Sequence, residues 1–478
     1  MSALDKSRYP KQIMDAIHGL IDVDPELVDM IDTLQFQRLR DLSQMGTSYY
    51  VFPGASHRRF EHSIGTAHLA GLLLDNIDRL QPHLGLGSRE KLLVKMAGLC
   101  HDLGHGPFSH AFDTFIDTTL PDSTWTHEQG SIMMLERMVD DNHIDVERDE
   151  IRFISELIDP THNAPTRTEH KFLYDIVSNS KNSIDVDKFD YLQRDSHCMG
   201  LKASYDANRL IHMARVIDDE ICYPAKHAFN IYQLFHTRYS LHKTVYQHKV
   251  SKSIEYMITD AFIAADSHLG ISSSINDPDR FLYMTDSIVQ QIERSSDSAL
   301  ARSRKILKDV RTRNLYKMVG EVVMSCADGE RIGDVTAADI STRQPAGGKL
   351  RPEGIIIQKF HMNYAMKDRN PVGNVRFYES HNPMVAFPLC DSHVSMMIPG
   401  MFSECVLRVF VRDATDENVA CAREAMSRLL REHSLSQPNP VYSRPCTPSP
   451  RKAKAESRLT PGTTWTKLAF SDTKRQRL

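Results

Sequence analysis

His62 lies in Arg-Phe-Glu-His-Ser (59–63), the adjacent pair His101-Asp102 in Leu-Cys-His-Asp-Leu-Gly-His-Gly (99–106), and Asp187 in Ile-Asp-Val-Asp-Lys-Phe-Asp-Tyr (184–191). Two imidazoles and two carboxylates can hold one divalent cation and leave positions open for water and substrate. They do so only if the fold brings three separate segments to one point. Neutral imidazole suits Zn, Fe or Mn, and carboxylate adds tolerance for Mg. Open positions mark a catalytic rather than a structural site. Spacing alone leaves a second reading open, a set of buried, hydrogen-bonded structural histidines.

The surroundings favour helices. Leu92, Leu93, Val94, Met96, Ala97, Leu99 and Cys100 lead into His101-Asp102, and Gly104, Gly106 and Pro107 follow. This predicts a helix that buries one face, delivers His101-Asp102 near its end and then breaks. His101 and His105, four apart, would share a helical face. His110 and Asp113, three apart, fall on the next short helix. Leu69, Leu72, Leu73, Ile77 and Leu80 recur at helical spacing, as do Ile254, Met257, Ile258, Phe262 and Ile263.

The expected class is mainly α. Residues 10–325 form a helical core, and residues 326–433 form a smaller α+β C-terminal lobe. Within that lobe, 341–354 read as a loop, 355–357, 372–378 and 405–411 as strands, and 417–432 as a helix. Residues 1–9 read as a flexible arm. Residues 434–478, rich in Ser, Pro and basic side chains, read as a disordered tail. No run of about 18 apolar residues predicts a membrane span, and the N-terminus has no apolar signal segment. The eight cysteines are dispersed without a Cys-x-x-Cys, which suits reduced thiols in the cytosol or nucleus rather than a zinc finger. A net charge of −4 gives no global pull toward nucleic acid.

The His…His-Asp…Asp order resembles that of the HD phosphohydrolase superfamily. Longer words narrow the resemblance: Asp-Thr-Leu-Gln-Phe-Gln-Arg-Leu-Arg (32–40), Tyr-Tyr-Val-Phe-Pro-Gly-Ala-Ser-His (49–57), Gly-Leu-Cys-His-Asp-Leu-Gly-His-Gly-Pro-Phe-Ser-His (98–110), Trp-Thr-His-Glu-Gln-Gly-Ser (125–131), Phe-His-Thr-Arg (235–238) and Tyr-Gln-His-Lys-Val (246–250). From about residue 10 to about 430 the chain resembles the SAM- and HD-domain-containing deoxynucleoside triphosphate (dNTP) triphosphohydrolases of animals, in a form without the SAM domain.

That resemblance implies a reaction and roles. His62, His101, Asp102 and Asp187 would hold a divalent metal (Fe, Mn or Zn), with a Mg ion on the phosphates. Attack at the α-phosphorus would yield a deoxynucleoside and inorganic triphosphate, lowering the cellular dNTP pool. His110, oriented by Asp113, is the first candidate for proton donor, with His105 and His127 (beside Glu128) as alternates; histidine titrates near working pH. Arg59, Lys188 and Arg238 would neutralise the triphosphate. Tyr191 and Asp195 would meet the sugar 3′-hydroxyl, Gln44 the sugar, and Tyr246 would crowd the 2′ position. His242 and Gln247 would line the base end. Met45 stands where the family has Leu, a swap of similar volume.

The resemblance also implies GTP and dNTP activators bound between subunits of a homo-oligomer, expected to be a tetramer. Lys11, Asp32, Gln37, Arg40, Val51 and Phe52 would form one half-site, with Arg313 and Lys317 from a neighbour. Asp206, Arg209, Lys226, Asn230, Lys249 and Val250 would form the adjoining one, with Arg369 where the family often has Lys. Met14 replaces the family's Asn, and Pro224 and Thr244 each replace Arg, so activation is expected to differ. In the tail, Thr447-Pro448 and Ser449-Pro450-Arg451-Lys452 resemble proline-directed kinase sites. The basic tail would suit single-stranded nucleic acid or a nuclear address. The expected location is nuclear, cytoplasmic or both. Alternatives are a single-stranded nucleic-acid-binding protein with a secondary HD metal site, and an HD phosphohydrolase acting on another nucleotide.

Overall fold

The computed structural model describes residues 9–162 and 165–437. The chain is mainly helical. The longer helices are α1 (Arg59–Leu80), α2 (Ser88–Cys100), α3 (His110–Thr119), α4 (His127–Asn142), α5 (Arg148–Ile158), α6 (Val186–Cys198), α7 (Ala228–Leu241), α8 (Lys249–Leu269), α9 (Ala301–Arg311) and α10 (Asp416–Glu432). The strands are β1 (Lys11–Asp15), β2 (Gly19–Val23), β3 (Arg215–Ile217), β4 (Glu220–Pro224), β5 (Lys317–Met324), β6 (Ile355–Asn363), β7 (Arg376–Glu379), β8 (Asn382–Pro388) and β9 (Ser403–Val411). Among the described residues, no helix is long and apolar enough to cross a membrane.

The strands form three groups: an antiparallel hairpin β1-β2, a sheet ordered β3-β4-β7-β8, and an antiparallel sheet ordered β5-β9-β6. Short strands therefore lie among the helices before residue 325. The last sheet starts at Lys317, ahead of the 325/326 division read from sequence, because β5 pairs along β9. Likewise β7 pairs in parallel with β4, joining the C-terminal segment to the helical part. The expected loop at 341–354 is interrupted by a helix end at Thr342 and a turn at Pro352–Gly354, and the strand expected at 372–378 begins only at Arg376. A second apolar core, including Val322, Leu407, Val409, Val419 and Met426, lies between this last sheet and α10.

Helix α8 buries Ile254, Met257, Ile258 and Phe262, as their spacing predicts, whereas Ile263 is exposed. Helix α1 packs against α2 and α6. Its first turn is secured by Glu61, whose carboxylate accepts from the Arg58 backbone N–H at 2.8 Å. Asp185 caps α6 by accepting from Lys188 N at 3.0 Å. The start of α1, the end of α2 and the start of α6 thus converge.

Helix α2 ends at Cys100, so His101 and His105 do not share a helical face; His105 lies in the turns that follow. Those turns are tightly constrained. A Cβ on Gly104 would sit 2.1 Å from both His127 O and Ser131 N, so only glycine lets this loop rest on the start of α4. Phe108 (φ 59°) and Ser109 (φ 57°) adopt the left-handed region that costs non-glycine residues energy. Asp286 offsets this strain by accepting from Phe108 N at 2.6 Å, and Ser109 Oγ donates to Ser43 O at 2.7 Å. Beneath them the buried Arg38 guanidinium donates to four carbonyls: Leu103 (3.0 Å), His105 (2.7 Å), Phe281 (3.1 Å) and Met284 (2.7 Å). Burial pushes Arg38 down to about 9, so the cation persists at neutral pH.

Arg38→Met, which keeps volume but leaves those carbonyls without donors, should lower unfolding free energy by at least about 1–3 kcal/mol, the cost of one unsatisfied buried carbonyl. Urea titration followed by far-UV circular dichroism measures this.

Candidate metal centre and active-site cavity

His62 in the first turn of α1, His101 and Asp102 just past α2, and Asp187 in the first turn of α6 bring their polar atoms together. His62 Nε2 lies 3.2 Å from His101 Nε2, 3.1 Å from Asp187 Oδ1 and 3.5 Å from Asp102 Oδ2. His101 Nε2 lies 3.5 Å from Asp187 Oδ1 and 3.5 Å from Asp102 Oδ1. Ligand atoms about 2.0–2.2 Å from one shared ion stand roughly 3–3.5 Å from each other, so His62, His101 and Asp102 suit a single divalent cation, with Asp187 Oδ1 beside both imidazoles.

The backs of both rings agree with that fit. His62 Nδ1 faces Asp190 Oδ2 at 2.7 Å, and His101 Nδ1 faces the Gly98 carbonyl at 2.8 Å. With each Nδ1–H donated backward, both Nε2 lone pairs point to the same place. Two lone pairs this close in a mostly buried setting require a positive charge between them. Without a metal, that charge is a proton: burial opposes it, but hydrogen bonds to Asp187 and Asp190 push His62 up to about 10. A divalent ion satisfies the same demand and neutralises both carboxylates.

His105, His110, His127 and Asp113 form a second group beside the first. His110 Nδ1 and His127 Nδ1 lie 2.9 Å and 3.4 Å from Asp113 Oδ2. The His105 and His127 rings stack at 4.0 Å between centroids, and His105 Nε2 reaches Asp102 Oδ1 at 3.3 Å. Burial, with Arg59 and His127 nearby, pushes His105 well below the usual imidazole range. Burial also opposes charge on His127, but its bond to Asp113 prevails and raises it. Asp113, despite burial, is held far below the carboxylate range by His110 and His127. Thr126 caps α4 and so positions His127.

Both groups open on a cavity of about 530 Å³. Its wall includes Gln44, Met45, Arg59, Lys188, Tyr191, Asp195, Arg238, His242, Tyr246 and Gln247, so every residue assigned to substrate from sequence lies there. Arg59, assigned to phosphate, pairs with Asp102 and donates to Ser109 Oγ at 2.8 Å. Lys188 Nζ donates to Asp185 Oδ2 at 2.8 Å, and Arg238 to the Asn363 carbonyl at 3.1 Å. Tyr246 Oη donates to Asp195 Oδ2 at 2.6 Å. Burial, then Arg238 and His110, push His242 down to about 3, leaving it a neutral hydrogen-bonding group. Gln44 Oε1, His105 Nδ1 and Arg238 Nε are buried polar atoms without partners among the described residues.

The residues assigned to activators are mostly on the surface. Lys11 Nζ is 3.8 Å from Asp32, and Arg40 donates to Gln37 Oε1 at 2.7 Å. Arg313 donates to the Tyr50 carbonyl at 3.1 Å, next to Val51 and Phe52, and Phe52 stacks edge-on against His248, which precedes Lys249 and Val250. Lys317 begins β5, and Arg369 is exposed. Asp206 exchanges hydrogen bonds with Asn230 and accepts from Arg209 N, and Lys226 lies nearby. Met14 is exposed on the hairpin, and Thr244 Oγ1 turns back to the Ser240 carbonyl. Pro224 is buried in β4 opposite Tyr378. Thr447 and Ser449 lie outside the described residues.

Sequence reading missed the groups behind this site. Asp190 joins His62, His18 and Arg194; His57 Nε2 meets Asp195 Oδ1 at 2.6 Å; Asp286 holds Ser43 and Phe108; Arg38 braces the loop. The four-residue spacing of Asp190 and Arg194 on α6 signalled an ion pair. Nothing local pointed from His18 or Asp286 to the centre.

Residues 59–195 match the family described as HD domain, and residues 205–344 match the HD associated region. The Dictyostelium discoideum protein named deoxynucleoside triphosphate triphosphohydrolase SAMHD1 homolog is 47% identical, covering 91% of this chain and 83% of its own. The Homo sapiens deoxynucleoside triphosphate triphosphohydrolase SAMHD1 is 40% identical, covering 90% and 74%. A putative HD domain-containing protein of Acanthamoeba polyphaga mimivirus is 32% identical, covering 86% and 94%. With convergent metal-ligand atoms inside an HD domain and this extent of identity, the chain belongs to the SAMHD1 family of HD-domain proteins.

Proposed function

We propose that this chain hydrolyses dNTPs to a deoxynucleoside and inorganic triphosphate. The observation carrying the reading is that one cavity gathers the four metal-ligand groups, three cations (Arg59, Lys188, Arg238) and the Tyr246–Asp195 pair. His62, His101, Asp102 and Asp187 would hold a divalent ion, Fe, Mn or Zn, with Mg accompanying the phosphates. Such ions supply Lewis acidity to the phosphorus centre and acidify water.

The protein's own groups do the rest. Lys188 and Arg238 neutralise the triphosphate, and Arg59 shares its charge between phosphate and Asp102. Asp195 accepts the sugar 3′-hydroxyl while His57 and Tyr246 hold it still. Tyr246 leaves little room for a 2′-hydroxyl. The leaving 5′-oxygen needs a proton. His105 is the poorest donor of the three histidines, being kept neutral, and instead orients Asp102. His110, at the cavity mouth with Nδ1 fixed on Asp113, delivers the proton from Nε2, and His127 shares the same carboxylate.

The reading extends to GTP and dNTP activators on the Lys11–Asp32–Gln37–Arg40 and Asp206–Arg209–Asn230 surfaces, and to a homotetramer in the nucleus or cytoplasm. Proline-directed phosphorylation of Thr447 or Ser449 and binding of single-stranded nucleic acid by the tail rest on sequence alone. The altered residues Met14, Pro224 and Thr244 favour weaker or retuned activation.

Product analysis tests the reaction. Protein incubated with a dNTP, Mg and GTP should release deoxynucleoside and triphosphate, and Asp102→Ala or His62→Ala should abolish both. Monophosphate plus pyrophosphate would refute the assigned point of attack. His110→Asn should lower kcat about 10²–10⁴-fold with little change in KM. A pH profile adds a signed test. The bond to Asp113 lets His127 keep its proton to higher pH, so Asp113→Asn should move the alkaline limb of kcat to lower pH. An unmoved limb would exclude the Asp113-linked histidines as the acid.

A further inference from the structure

We infer that His18, in the turn of the β1-β2 hairpin, is a positioning residue for the metal centre, holding Asp190 as the acceptor that fixes the His62 ring. This rests on the metal-centre reading above. His18 lies well outside residues 59–195, the segment that matches the HD domain.

Asp190 is fully buried and accepts four hydrogen bonds, two on each oxygen. Oδ2 faces His62 Nδ1 at 2.7 Å and Arg194 Nε at 2.8 Å. Oδ1 faces His18 Nε2 at 2.6 Å and Arg194 Nη2 at 2.9 Å. Arg194 spends one N–H on each oxygen of Asp190, which marks the group as a carboxylate acceptor, so the imidazoles are the donors. Every lone-pair position is used, and Asp190 has one orientation. A Cβ on Gly65 would fall 1.9 Å from Asp190 Oδ1, so α1 is pared back to admit the carboxylate.

His18 is itself fixed from behind. Asp15 Oδ1 accepts from the backbone N–H groups of Ile17 (2.8 Å) and His18 (2.9 Å), closing the turn. Asp15 Oδ2 accepts from Arg194 Nη1 at 2.9 Å, so one guanidinium ties the turn to α6. The His18 side chain is 7% exposed, so its contact with Asp190 is shielded from water. The chain from hairpin to ligand is therefore Asp15, His18, Asp190, His62. Partners behind a ligating histidine set its tautomer and orientation and influence metal affinity about 10–100-fold. The hairpin's exposed outer strand carries Lys11 and Met14, so a shift of the hairpin reaches His62 through a single carboxylate.

Metal affinity tests this directly. Metal-stripped protein is titrated with Mn²⁺ in competition with a chelating dye. His18→Ala should weaken affinity about tenfold or more. His18→Gln, whose amide can still donate to Asp190, should recover part of the loss. Gln12→Ala alters the same hairpin without touching Asp190 and should bind like wild type. Should His18→Ala fail to fold, His18→Asn, polar but too short to reach Asp190, carries the same expectation. Wild-type affinity in the Ala or Asn variant would overturn the inference, as would an equal loss in Gln12→Ala, which would indicate hairpin stability instead. A wild-type chain that takes up no Mn²⁺ would overturn the metal-centre reading itself, and that outcome is distinct from the other two.

Discussion

Two imidazole nitrogens 3.2 Å apart, one on the buried His62 ring and one on the part-buried His101 ring, each with its far nitrogen committed to a protein acceptor, cannot be left without a positive charge between them. Much of the architecture serves that demand. Three helix ends converge to supply the groups, and each of the two rings is backed by an acceptor of a different kind. Gly98 O is a neutral peptide oxygen, whereas Asp190 is a carboxylate held by a guanidinium and a second imidazole. Carboxylate backing makes His62 the more basic of the two candidate ligands. The centre is thus asymmetric, although its two histidines look alike in sequence.

The loop between α2 and α3 carries His101, Asp102 and His105, and it is strained. Two consecutive non-glycine residues sit in the left-handed region there. Gly104 allows the loop to touch α4, bringing the His105 ring over His127. Arg38 and Asp286 supply the opposing forces, one donating to carbonyls and the other accepting from N–H groups. Strain of this kind persists only where surrounding structure over-determines it. Here the determinants, Arg38 and Asp286, come from segments before α1 and after α8, so the loop that carries His105 depends on residues remote in the chain.

Helices whose apolar residues recur at a regular interval, such as α1, α2 and α8, were legible in the sequence, as were strand β9 and helix α10. Short strands such as β3 and β4 were not, because three to five residues carry too little pattern to distinguish them from loops. The end of α2 was misjudged by one turn, since His101 and His105 suit either a helical face or a following turn, and only packing on Ser131 decides. Ile263 was placed on the buried face by periodicity but lies exposed at its margin.

The ordered His, His-Asp and Asp positions, with the words around them, were enough in the sequence to nominate a ligand set and to recognise the family. Residue type and chain order carry coordination chemistry directly, because a metal reads donor atoms. What tertiary structure alone decided was which groups stand behind those donors. Asp190 backing His62, His18 reaching it from the hairpin, His57 and Tyr246 sharing Asp195, and Arg59 pairing with Asp102 each join segments remote in the chain or use a residue with several available partners. Hydrogen bonds require atoms within about 3 Å, and no local pattern specifies which distant segment will fold to that distance.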